Sequence, residues 1–219
     1  MEKPVKPARL TRRIAIAGAA ALALTAGLAL APLPGGAALA GTAQEIADHF
    51  SSVKTMTGEF VQFGPRGEQT GGKFFIERPG RIRFNYEAPS AYRVVSDGKS
   101  VVISNKKLKT ADLYPLSKTP LKLLLDDRID ISGDRVQQVR EEDDLTTITL
   151  ADKTVFGNST ITMMFDPQSY DLRQWTIRDA QGKDTTVMIF NVQQGVAFDP
   201  KIFEIDYRKV AETNGRKSR

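Results

Sequence analysis

From residue 56 to residue 193 the chain alternates, segment after segment, between bulky apolar and polar side chains. A period of two is the signature of strands with one face buried and one face wet. Segments bounded by Gly, Pro, Asp or Asn are predicted as strands over 56–62, 72–78, 81–87, 92–96, 100–104, 110–114, 134–140, 145–150, 160–166, 172–178 and 185–193. One parity carries Phe74, Ile76, Ile82, Phe84, Tyr86, Ile148, Leu150, Ile161, Met163, Phe165, Trp175 and Ile177, and the other carries Lys73, Arg81, Arg83, Asn85, Thr147, Thr149, Thr160, Thr162, Arg173 and Thr176. Ser96-Asp97-Gly98-Lys99 reads as a hairpin turn, with Asp-Gly supplying the positive φ that tight turns need. Short connections favour antiparallel pairing, so the fold class is mainly β with a few helices.

An apolar sheet face needs a second layer. Two helices are available. The first is predicted over 42–54, with Ala43, Ile46, Ala47 and Phe50 on one face and Thr42 as N-cap. The second is a short apolar helix in Thr119-Pro120-Leu121-Lys122-Leu123-Leu124-Leu125, with Thr119 as N-cap and Pro120 in its first turn. Two such helices are too few to tile a long sheet. Either the sheet curls and fills itself with side chains, or it keeps an apolar cavity roofed by the helices. The pattern alone leaves both open, although the aromatic content and the adaptable Met163 lean toward a cavity. Arg78 shares the parity of Phe74 and Ile76. Either Pro79 breaks the register and leaves Arg78 in solvent, or it points inward and needs acceptors, for which the last carbonyls of a covering helix would serve.

The N-terminus is a separate unit. Lys3, Lys6, Arg9, Arg12 and Arg13 precede an apolar run from Ile14 to about Ala31, and Ala38-Leu39-Ala40 closes it with small residues. Residues 1–40 therefore read as a secretory signal peptide, with 41–219 as the mature domain. Thr11-Arg12-Arg13 also suits a twin-arginine signal, and the export route stays open. The chain has 31 basic and 26 acidic residues, of which five and one lie in the leader, so the mature protein is close to neutral. That argues against a nucleic-acid partner. The basic end (Arg208, Lys209, Arg216, Lys217, Arg219) reads as a flexible tail with weak affinity for anionic lipid. About 179 mature residues suffice for one domain. The absence of cysteine removes both disulfides and an acylated N-terminal cysteine. The expected compartment is the periplasm.

Residues with catalytic chemistry are scarce. The sole histidine, His49, lies on the first helix and reads as a partly exposed helical residue. No serine sits in a nucleophile elbow. Asp126, Asp127 and Asp130, and the run Glu141-Glu142-Asp143-Asp144, fall at loops and match no calcium motif. No enzyme, cofactor or metal is expected.

The run Gly72-Lys73-Phe74-Phe75-Ile76-Glu77-Arg78-Pro79-Gly80-Arg81-Ile82-Arg83-Phe84-Asn85-Tyr86, then Val95-Ser96-Asp97-Gly98-Lys99, then Thr119-Pro120-Leu121-Lys122-Leu123-Leu124, resembles the outer-membrane lipoprotein carrier family, LolA. The resemblance extends over essentially the whole mature chain. It implies an incomplete antiparallel β-barrel lidded by α-helices, with an apolar interior for acyl chains formed by the apolar parity named above. It further implies a latch at Arg78 and a lid helix at Leu121, Leu124 and Leu125. The implied partners are acylated lipoproteins, an inner-membrane lipoprotein-release transporter and, where one exists, an outer-membrane acceptor, with a monomer as the default. The family's aromatic positions after Arg-Pro match Ile82 and Phe84 here; the first is aliphatic, so the interior is expected to differ in shape. Two other readings share the fold, a periplasmic binder of free lipid or glycolipid and an envelope-stress lipoprotein sensor.

Overall fold

The computed structural model describes residues 35–131, 134–154 and 157–217. The leader expected over 1–40 lies outside the described residues as far as residue 34. Eleven strands follow one helix: β1 Thr55–Phe63, β2 Gln69–Glu77, β3 Arg81–Tyr86, β4 Tyr92–Asp97, β5 Ser100–Asn105 and β6 Thr110–Pro115. After a break come β7 Val136–Glu141, β8 Thr146–Thr154, β9 Gly157–Phe165, β10 Leu172–Arg178 and β11 Asp184–Gln194. All eleven are the segments the alternation predicts, shifted by at most four residues at an end.

They form one antiparallel sheet in the order β6-β5-β4-β3-β2-β1-β11-β10-β9-β8-β7. Every neighbour is also a sequence neighbour except β1 and β11, whose pairing joins two meanders. The edges β6 and β7 remain unpaired with each other, so the barrel is incomplete. On β6, Asp112 shares the inward parity of Ile103, and Pro115 closes the strand. An inward-pointing charge and a proline are ordinary protections of a free edge.

Helix α1, Gly35–Ser52, begins well before the predicted 42–54, so Thr42 lies inside it instead of capping it. The apolar stripe is where the spacing puts it: Ala43, Ile46, Ala47 and Phe50 are all buried. The connection from β6 to β7 runs through a 3₁₀ turn, Leu116–Lys118, and α2, Leu121–Leu125. Thr119 does not cap α2; its hydroxyl donates to the Leu116 carbonyl at 2.9 Å, closing the preceding turn. Both helices enter the concave side of the sheet. There α1 contributes Phe50 and α2 contributes Leu123, Leu124 and Leu125 to the same core as Phe74, Ile82, Ile161 and Trp175.

The wet face has its own cover, which sequence reasoning missed. A second 3₁₀ turn, Pro200–Phe203, and α3, Tyr207–Lys217, lie on the outer side of β3 to β6. Val210 and Ile205 pack on Val102 and Ala111, and the Tyr207 hydroxyl donates to Asp97 Oδ2 at 2.6 Å. The expected flexible basic tail is thus helical through residue 217 and docked at Tyr207 and Val210. Tyr207 and Val210, three residues apart with Arg208 and Lys209 between them, have the apolar spacing of a one-sided helix.

Gly72 marks a close approach between β2 and β3. A Cβ there would collide with the Asn85 carbonyl, which belongs to the backbone and cannot swing aside. Gly72→Ala is therefore expected to lower stability by about 1–3 kcal/mol, measured as a lower urea midpoint at unchanged m-value.

Candidate functional site

The turn between β2 and β3 holds Arg78, Pro79 and Gly80, directly under the C-terminal ends of both inner helices. Arg78 points inward and is only 5 % exposed. Its Nη1 donates to the carbonyls of Phe50 (3.1 Å) and Val53 (2.6 Å), at the end of α1. Its Nε and Nη2 both donate to the Leu124 carbonyl in α2, at 3.3 and 3.2 Å. The guanidinium carbon stands 3.9 Å over the centre of the Phe50 ring. The main chain adds two more ties, Arg78 N–H to the Lys54 carbonyl at 2.7 Å and Gly80 N–H to the Leu125 carbonyl at 2.9 Å.

These acceptors are all main-chain carbonyls. The acceptors are carbonyls that helix ends leave without an intrahelical donor, and at α1 they form the negative end of the helix dipole. Arginine suits the task because its planar fork presents donors in several directions at once. Burial pulls the guanidinium down to about 10, still far enough above neutrality to keep it charged.

Other contacts fasten the two helical segments to each other. Ser51 Oγ donates to the Ala47 carbonyl and accepts the N–H of Ile129 at 2.9 Å, beyond α2. The ion pairs Lys54–Asp127 (2.7 Å) and Arg128–Asp48 (3.4 Å) lie in solvent and contribute little. On its far side α1 meets Tyr170, in the β9–β10 turn with φ of 60°, which stacks edge-on against His49 and donates to Glu45 Oε2 at 3.3 Å. Ile129 and Tyr170 carried no individual signal in the sequence, because single residues in loops have no period to betray them.

The residues of the apolar parity converge as a group. Phe74, Ile76, Ile82, Phe84, Ile148, Leu150, Ile161, Met163, Phe165 and Trp175 are buried, and Tyr86 and Ile177 are half-buried against them. Leu124 and Leu125 are buried beside them, with Leu121 half-buried. In this conformation they are packed, with the helices' side chains occupying the interior. The void beneath the end of α1, between Phe50, Met56, Leu172 and Ile189, is about 10 Å³, room for about one water. An open groove of about 340 Å³ lies outside, lined by Pro79, Gly80, Lys99, Leu116 and Leu125. Tyr86, near one end of the interior, donates to Gln62 Oε1 at 2.6 Å, and burial pushes its phenol up to about 12. Among the described residues no helix is long and apolar enough to cross a membrane.

A curled sheet plugged by two helices that hang from one buried arginine can be compared with known proteins. The family described as "Outer membrane lipoprotein carrier protein LolA" matches residues 51–206. The chain belongs to the LolA family. It is similar to the outer-membrane lipoprotein carrier protein of Pseudomonas paraeruginosa, 26 % identical over 212 residues that span 90 % of this chain and 95 % of that protein. The carrier protein of Alkalilimnicola ehrlichii is 33 % identical over 110 residues, 48 % of this chain and 50 % of its own. Among solved structures, a LolA-superfamily protein of Nitrosomonas europaea aligns with a TM-score of 0.39 at 12 % identity, over 75 % of this chain and 98 % of that one. The MucA/MucB complex of Pseudomonas aeruginosa aligns with 0.43 at 12 %, over 78 % and 62 %.

Replacing Arg78 leaves three carbonyls in the interior without these donors. Arg78→Leu is expected to cost about 1–3 kcal/mol in urea unfolding. Arg78→Lys should recover less than half of that loss, because one ammonium cannot face both helix ends; full recovery would show that charge alone matters.

Proposed function

We propose that this protein is a periplasmic carrier of lipoproteins that moves them from the inner toward the outer membrane, sheltering their acyl chains among the inward-facing residues of the sheet. The observation that carries this reading is the combination of a LolA-family chain with an apolar interior closed by two helices tied to Arg78. Its name-bearing relatives are lipoprotein carrier proteins.

The physical problem such a carrier solves is the cost of apolar surface in water. Each methylene kept from water is worth about 0.8 kcal/mol, so a chain of roughly sixteen carbons does not cross an aqueous space unaided. Since the interior is already filled by Phe50 and Leu123 to Leu125, cargo enters only as α1 and α2 swing out. Acyl methylenes then replace helix side chains against the same sheet, an exchange of apolar contact for apolar contact. What distinguishes the two states is the set of hydrogen bonds at Arg78, present with the helices seated and broken with them displaced. Arg78 thereby favours the empty, closed state and drives unloading. The transporter that releases lipoproteins from the inner membrane loads the carrier, and an outer-membrane acceptor or the membrane itself receives the cargo.

The direct test is to incubate the protein with spheroplasts and identify by mass spectrometry what leaves with it. Acylated lipoprotein in a complex with the protein is the expected result; bound free lipid without lipoprotein would replace this reading with lipid carriage. Arg78→Leu should capture cargo but transfer it more slowly, and transfer at the wild-type rate would remove Arg78 from the release step.

A further inference from the structure

The tip of the β5–β6 hairpin presents Lys106, Lys107, Leu108 and Lys109 to solvent, all exposed. Leu108 is 67 % exposed, the most of the exposed large apolar side chains among the described residues. It is held there. The buried Asn105 accepts the N–H groups of Lys107 and Leu108 on Oδ1, both at 3.0 Å, and Lys106 N–H donates to the Ala91 carbonyl at 3.1 Å. Lys109 takes the left-handed conformation, with φ of 52°, and Lys107 Nζ reaches the Pro89 carbonyl at 3.0 Å on the neighbouring loop. A fixed turn thus displays one leucine among three ammonium groups.

Residues 98–111 contain no acidic side chain; Asp97, at the end of β4, and Asp112, within β6, bound the stretch, and neither lies in the turn itself. Tyr92, 46 % exposed, stands opposite Asn105 across the β4–β5 pair, adding an amphipathic aromatic beside the tip. An apolar side chain ringed by lysines matches a surface that is anionic at its face and apolar just beneath. A bilayer of anionic phospholipid has both properties over its whole face. We propose that this hairpin tip docks the protein on anionic phospholipid bilayers, with Lys106, Lys107 and Lys109 against headgroup phosphates and Leu108 at the acyl boundary.

The tip lies at the end of β5 away from Arg78, about 20 Å along the strands. Docking would turn toward the bilayer the end of the barrel where Tyr86 and Tyr92 meet, their rings 6.3 Å apart. This inference goes beyond lipoprotein carriage and does not rest on it.

The test is co-sedimentation of the cargo-free protein with vesicles of phosphatidylglycerol mixed into phosphatidylcholine, against vesicles of phosphatidylcholine alone. Binding to the mixed vesicles only, weakening as salt is added, is the expected result. Each of K106Q, K107Q and K109Q should weaken partition roughly fivefold and the three together about a hundredfold. L108S should weaken it roughly tenfold at unchanged salt dependence. Because these side chains are exposed, the variants should keep the wild-type circular dichroism and unfolding midpoint. Equal binding to neutral vesicles, no binding to anionic ones, or a triple variant that binds like the wild type would each overturn the proposal. Lipoprotein capture from spheroplasts, read separately, is expected to survive in L108S, so failure here is distinguishable from failure of the carrier reading.

Discussion

A guanidinium taken out of water needs acceptors, and Arg78 finds them in the carbonyl oxygens that two helices leave unused at their ends. Each side of that arrangement needs the other. Without the helix ends, the charge in the interior would lack acceptors, a severe cost. Without the guanidinium, the last carbonyls of α1 and the Leu124 carbonyl would face an apolar core. The β2–β3 turn therefore fixes where α1 and α2 sit, and with them the plug that closes the concave side of the sheet.

The sheet itself makes the plug necessary. Eleven strands curl, yet β6 and β7 do not meet, so the inward apolar face cannot be covered by the sheet alone. Phe50 from α1, edge-on to Phe165 at 5.3 Å, and the three buried leucines of α2 complete the core. The outer cover is of a different kind. Val210, Tyr207 and the Phe198–Phe203 ring pair fasten the C-terminal segment on the opposite face of β3 to β6, away from Arg78.

The strands, the turn at Asp97-Gly98 and the buried stripe of α1 were legible in the sequence because periodicity is a local property. Every residue of the apolar parity lies against one core, with Tyr86 and Ile177 at its margin. Where the reading fell short, the missing information was long-range. Helix α1 starts at Gly35, Thr119 serves the turn before α2, and the basic C-terminal end is a docked helix, a position it owes to Val102 and Ala111, about a hundred residues away by number.

By itself, the sequence determined a two-faced antiparallel sheet, a pair of apolar helices to cover it, and a charge at position 78 on the apolar parity. It could not decide whether that charge turned inward, nor whether the interior was empty or filled. Those outcomes depend on which backbone carbonyls arrive beside Arg78 and which side chains reach the concave face. Both are set by the β1–β11 pairing and by the way residues 116–131 carry Leu123, Leu124, Leu125 and Ile129 into the core. Alternation specifies a face; only the folded chain specifies what meets it.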